Sequence, residues 1–63
     1  MDWKAYDSGD HTATVEIDGD AYVVDEDTIL TDFIEWLMGH GTWQETEPVA
    51  HEAIRIMDPG NAA

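Results

Sequence analysis

His11-Thr12-Ala13-Thr14-Val15-Glu16-Ile17-Asp18-Gly19-Asp20-Ala21-Tyr22-Val23-Val24 is the stretch whose reading decides the fold. Ala13, Val15 and Ile17 alternate with Thr12, Thr14 and Glu16. This is the period-two pattern of a half-buried strand, and it predicts a strand over residues 11–17. Asp18-Gly19 tolerates the positive φ angles of a tight turn, and the β-rich run after it predicts a second strand over residues 21–25. Two registers are open at this point. A two-residue loop pairs Ile17 with Asp20, Val15 with Tyr22 and Ala13 with Val24; a bulged three-residue loop sets Val15 opposite Val23.

A two-stranded hairpin alone is barely stable in water, so its neighbours must cover it. Upstream, Trp3-Lys4-Ala5-Tyr6, closed by Asp7-Ser8-Gly9-Asp10, offers a third antiparallel strand over residues 2–6. Downstream, Asp25-Glu26-Asp27-Thr28 reads as a helix entrance, with Asp27 or Thr28 as N-cap and acids where the helix dipole favours them. Leu30, Phe33, Ile34 and Leu37 then recur at helical spacing, with Ile29, Trp36 and Met38 widening the apolar stripe, which predicts a helix over residues 28–38. Gly39 and Gly41 end it, one of them expected in the left-handed C-terminal position.

Thr42 to Glu45 reads as a connector, and Thr46-Glu47-Pro48 opens a second helix over residues 47–57 with proline in its first turn. Val49, Ala50, Ala53, Ile54 and Met57 form its inward set; His51, Glu52 and Arg55 face out. Asp58-Pro59-Gly60 stops the helix and leaves a frayed tail over residues 59–63. The expected architecture is one α+β domain over residues 1–63. An antiparallel β-hairpin or three-stranded meander is followed by two helices, the first of them covering one face of the sheet.

Charge bounds the function more tightly than any motif. Fifteen acidic side chains against two basic ones give a formal net charge of -13 in 63 residues. Charge of this size keeps a protein soluble but drives the compact state apart. Salt offsets the repulsion, because the Debye length falls from about 8 Å at physiological ionic strength to about 3 Å at 1 M. A disordered acidic tail does not fit, since the chain carries Trp3, Tyr6, Tyr22, Phe33, Trp36 and Trp43 among regularly spaced aliphatics. The acids also run from Asp2 to Asp58 instead of forming one block. With a single lysine and aspartate outnumbering glutamate, the composition resembles that of small cytoplasmic proteins of halophilic archaea. That resemblance implies a fold that needs molar salt, and it carries no functional site with it.

No cysteine is present, which excludes disulfides and thiolate zinc sites and fits a reducing interior. Met1-Asp2-Trp3 does not open a signal peptide, and no apolar stretch reaches the roughly 20 residues that span a bilayer. The expected location is the cytoplasm. At this length only about 60% of the unfolded surface is buried, so self-association is the expected staple, as a homodimer.

Chemistry-bearing residues are few. Asp18, Asp20, Asp25 and Asp27, with Glu26, make the densest carboxylate cluster and the only candidates for a hard cation such as calcium or magnesium. Their spacing fails the EF-hand pattern, because Tyr22 and Val24 fall where later ligands belong. They read instead as a hairpin turn and a helix entrance, and no cofactor is expected. His11, His40 and His51 stand at no metal-ligand spacing. Ser8 and Lys4 are the only serine and the only lysine, no glycine-rich phosphate loop exists, and the chain is too short to enclose a substrate pocket unaided. No catalytic residue is assigned. Lys4 and Arg55 cannot build the basic patch of a nucleic-acid binder.

The three tryptophans are many for so small a core, and tryptophan favours interfaces. Trp3, Ile29, Phe33, Trp36 and Trp43 are therefore the expected contact residues, at a dimer seam or for an unidentified protein partner. The function expected is a non-enzymatic protein-interaction or regulatory module adapted to high salt. The alternatives are a small-molecule or metal-binding module at a dimer interface and, behind it, an acidic modulator of a nucleic-acid-binding protein.

Overall fold

The computed structural model describes residues 1–57 and contains the expected α+β arrangement. Strands β1 (Trp3–Gly9), β2 (Thr12–Ile17) and β3 (Asp20–Val24) form an antiparallel meander in the order β1-β2-β3. Helices α1 (Leu30–Met38) and α2 (Trp43–Met57) follow. The stop at Asp58-Pro59-Gly60 and the tail over 59–63 lie outside the described residues.

Asp18 (φ 50°) and Gly19 (φ 94°) both adopt positive φ, which makes the turn the type I′ kind whose twist matches that of the flanking strands. Its two-residue loop fixes the register: Ile17 opposite Asp20, Val15 opposite Tyr22, Ala13 opposite Val24. The bulged alternative is absent. The third strand exists and is longer than residues 2–6, pairing Trp3 with Ile17 and Asp7 with Ala13 before a bulge between Asp7 and Gly9. The Asp7 carboxylate accepts from the Gly9 N–H at 3.0 Å and holds that bend.

One face of the sheet carries Ala13, Val15, Ile17 and Val24 into a core completed by Phe33, Leu37, Val49, Ala50 and Ala53. The expectation that the first helix covers the sheet is corrected. It is α2 that packs closely on β1 and β2, while α1 packs on α2. The link from α1 to the sheet is aromatic: the Tyr22 ring lies 5.4 Å from that of Phe33 and 5.2 Å from that of Trp36. Small residues at Ala50 and Ala53 permit the close approach of α2, whereas α1 stands off by the depth of its aromatic rings.

Both helix entrances differ from expectation. Thr28 does not cap α1, because it is committed to its own loop: its hydroxyl accepts from the Asp25 N–H at 2.8 Å and donates to the Asp25 carboxylate at 3.1 Å. Asp27 does not cap it either; Ile29 holds the N-cap position with no side-chain bond, and its carbonyl receives the N–H groups of Asp32 and Phe33. Helix α2 begins four residues earlier than residue 47, at Trp43. Thr42-Trp43-Gln44-Glu45 is a reciprocal capping box. The Glu45 N–H donates to the Thr42 hydroxyl at 3.3 Å, and the Thr42 N–H donates to the Glu45 carboxylate at 3.0 Å. Pro48 consequently sits past the first turn, and the carbonyl it leaves without an N–H partner belongs to Gln44, which faces water. At the other end of α1, Gly39 (φ -72°) stays right-handed, so no left-handed glycine closes the helix. A side chain does that work, as described next.

Candidate interaction surface

His40 leaves the end of α1 and turns back on it. Its Nδ1 lies 2.8 Å from the Trp36 carbonyl and its Nε2 2.9 Å from Asp20 Oδ2 in the hairpin. A carbonyl and a carboxylate both accept, so both ring nitrogens must donate, and that requires the imidazolium form. The Asp20 carboxylate first, then the Trp36 carbonyl and the nearby charges of Asp20 and Asp18, raise the His40 pKa above its ordinary value. The charge also sits at the negative end of the α1 dipole and against the Trp36 ring, centroids 4.5 Å apart. Asp20, His40, Trp36, Tyr22 and Phe33 thus form one connected ladder from the hairpin tip to the core.

The four aspartates of the candidate cation cluster are not brought together. Asp18 and Asp20 stand at the hairpin, and Asp25 and Asp27 beyond the opposite end of the five-residue strand β3, about 17 Å away at the rise of a strand. Three of the four also have a carboxylate oxygen engaged. Asp18 Oδ1 accepts from the Asp2 N–H at 3.2 Å, Asp20 holds His40, and Asp25 Oδ1 accepts from the Asp27 N–H at 2.9 Å. Among the described residues no group of three or more His, Cys, Asp or Glu side chains could hold a metal ion.

The expected contact residues divide. Phe33 is fully buried and belongs to the core, which corrects its assignment to a contact surface. Trp36 is half-buried in the aromatic ladder. Ile29 is 64% exposed at the head of α1, Trp43 is 39% exposed at the head of α2, and Trp3 is 37% exposed on β1. Trp3 borders two open hollows, one shared with Lys4, Glu16 and Asp18, the other with Pro48, His51, Glu52 and Arg55. Both basic side chains of the chain therefore flank this tryptophan.

Two exposed residues escaped the sequence reading. Met38 is 55% exposed at the last turn of α1, where its helical spacing had counted it into a broad inward stripe. Met1 folds against the turn between the helices. A Cβ on Gly41 would stand 3.3 Å from the Met1 sulfur and 3.2 Å from Glu45 Oε1, close enough that these two side chains would have to shift slightly. The signal that could have found this surface is electrostatic: Trp36 to Gln44 is the longest run without an acid. Met38 and Trp43 lie on that run and Met1 packs beside it at Gly41, all three exposed.

Among the described residues no helix is long and apolar enough to cross a membrane. Comparison with protein-family models, curated proteins and solved structures gives no match to this chain.

Proposed function

We propose that this chain is a non-enzymatic protein-interaction module of a high-salt cytoplasm, binding another protein through the helix-turn-helix end that carries Met1, Met38 and Trp43. The observation that supports this is the coincidence of the longest acid-free run with exposed methionine and tryptophan side chains. Methionine adapts to irregular partners, and tryptophan buries large area at little entropic cost. The surrounding carboxylates form a rim that a partner with an apolar anchor and basic flanks complements, and that repels anionic surfaces.

The test is capture from a salt-preserved lysate in molar KCl with the wild-type chain and two variants, Met38→Asp and Trp43→Ser. Both positions are exposed, so the variants should retain the wild-type circular dichroism. The expected result is a protein band held by the wild type and lost by both variants. Identical bands from all three would place the contact elsewhere and defeat the proposal.

A further inference from the structure

Strand β1 lies at an edge of the sheet, and its hydrogen-bonding parity can be read from one contact. The Asp18 N–H donates to the Asp2 carbonyl at 3.0 Å, and the register continues as Trp3 opposite Ile17 and Lys4 opposite Glu16. In an antiparallel ladder hydrogen-bonded and non-hydrogen-bonded pairs alternate. Asp2, Lys4 and Tyr6 thus turn their backbone groups toward β2. Trp3, Ala5 and Asp7 turn theirs outward, off the edge of the sheet. The strand is exposed along its whole length except for the half-buried Ala5.

We infer that this edge pairs antiparallel with β1 of a second copy of the chain, centred on Ala5, to give a six-stranded sheet across a two-fold axis. The register in which Ala5 meets Ala5 and Trp3 meets Asp7 pairs the outward N–H and C=O groups of all three residues with one another. The same register keeps inward side chains facing inward, as the pleat requires. It sets Lys4 opposite Tyr6 of the second copy on the outer face, twice by symmetry. In the single chain the Lys4 ammonium already lies 5.7 Å from the centre of the Tyr6 ring, so this pairing presents it with a second such ring.

In a chain of net charge -13 both Lys4 and Arg55 flank Trp3 beside this edge, next to Glu16 and Glu52 respectively, so the chain's own cations lie where the second copy approaches. Lysine on the edge, an inward-facing Asp7 and a bulge beyond it are devices that ordinarily guard a free edge. In the two-fold pair Lys4 meets Tyr6 and Asp7 meets Trp3, and the bulge ends the pairing after Asp7. The other edge, β3, turns only Ala21 and Val23 outward and is flanked by Asp20 and Asp25, so a two-fold dimer closes without growing into a fibre.

This interface is separate from the helix-turn-helix end, and either proposal can fail alone. The test is amide hydrogen exchange of the wild-type chain in molar KCl at micromolar and millimolar concentration, with sedimentation of the same samples. Expected is a monomer–dimer equilibrium in which the Trp3, Ala5 and Asp7 amides slow at least tenfold at the higher concentration, while Ala21 and Val23 do not change. A monomer at millimolar concentration overturns the inference, as does a dimer whose Trp3, Ala5 and Asp7 amides exchange alike at both concentrations. Ala5→Pro adds an independent arm. It removes an outward N–H that the β1–β2 ladder does not use, and should weaken the dimer about tenfold or more with the circular dichroism retained, through two lost hydrogen bonds.

Discussion

His40 is the residue on which local chemistry and global shape meet, because one imidazolium ties the hairpin, the end of α1 and Trp36 together. Its pKa is raised in the folded state, so folding favours the proton. The resulting stability is fully present below about pH 6.5, the ordinary histidine value, and is lost as pH rises through the folded value. Nitrogen chemical shifts across a pH titration should show both ring nitrogens protonated at neutral pH, and Asp20→Asn should move the midpoint down toward the ordinary value. An unchanged midpoint in that variant would assign the shift to the Trp36 carbonyl and the dipole instead. Phe33 sits at the foot of the same ladder with no exposure at all. Truncating a fully buried phenylalanine costs about 3–5 kcal/mol, and 63 residues support about 3–9 kcal/mol in total. Phe33→Ala should therefore remove about a third or more of the total stability, read as a lowered urea midpoint.

At the scale of elements, helix α2 depends on its entrance. Glu45 is held below its usual carboxylate range chiefly by the Thr42 backbone N–H and then by the Thr42 hydroxyl. Folding therefore favours the ionised form, and this contribution is present above the ordinary carboxylate value and fades as pH falls through the lowered one. Thr42→Ala should cost about 1 kcal/mol in a urea unfolding curve, and Glu45→Gln should flatten the acid limb of the stability profile. A Thr42→Ala protein as stable as wild type would show that packing of Val49, Ala50 and Ala53 fixes the helix start alone. The box was legible in Thr42-Trp43-Gln44-Glu45, but Pro48 competed with it as a first-turn signal and pulled the expected start to residue 47. The hairpin was legible from the alternation and Asp18-Gly19, but its register was not, because the same residues admit a two-residue or a bulged three-residue loop and the positive φ of both Asp18 and Gly19 decides between them. The entrance of α1 was not, because Asp25 and Thr28 satisfy one another and a sequence does not say which partner a hydroxyl chooses. Phe33 and Ile29 were inseparable for a similar reason. A stripe wider than one face contains both core and surface residues, and the division between them is set by where α2 lands.

For the whole molecule the question is what holds a small body of 10.9 Å radius of gyration together under a net charge of -13. Among the described residues Lys4, His40 and Arg55 each engage one carboxylate, Glu16, Asp20 and Glu52. The other acids of the described residues form no ion pair. At a Debye length of about 8 Å neighbouring carboxylates repel across a good part of a body 29 Å by 21 Å by 20 Å. Near 1 M salt, at about 3 Å, they do not. The unfolding midpoint should accordingly climb steeply with KCl up to about 1 M and only slowly beyond it, with partial loss of structure in dilute buffer. Screening has a signature that general salting-out lacks: it vanishes with the charges. Neutralising the exposed Asp10, Asp27 and Glu47 to Asn, Asn and Gln should raise stability at low salt and shallow the dependence on KCl, measured by urea unfolding at matched ionic strengths. If the triple variant keeps the wild-type salt slope, salt acts on apolar burial and the acids are spectators; if the slope falls, the acidic surface itself is what ties this fold to concentrated salt.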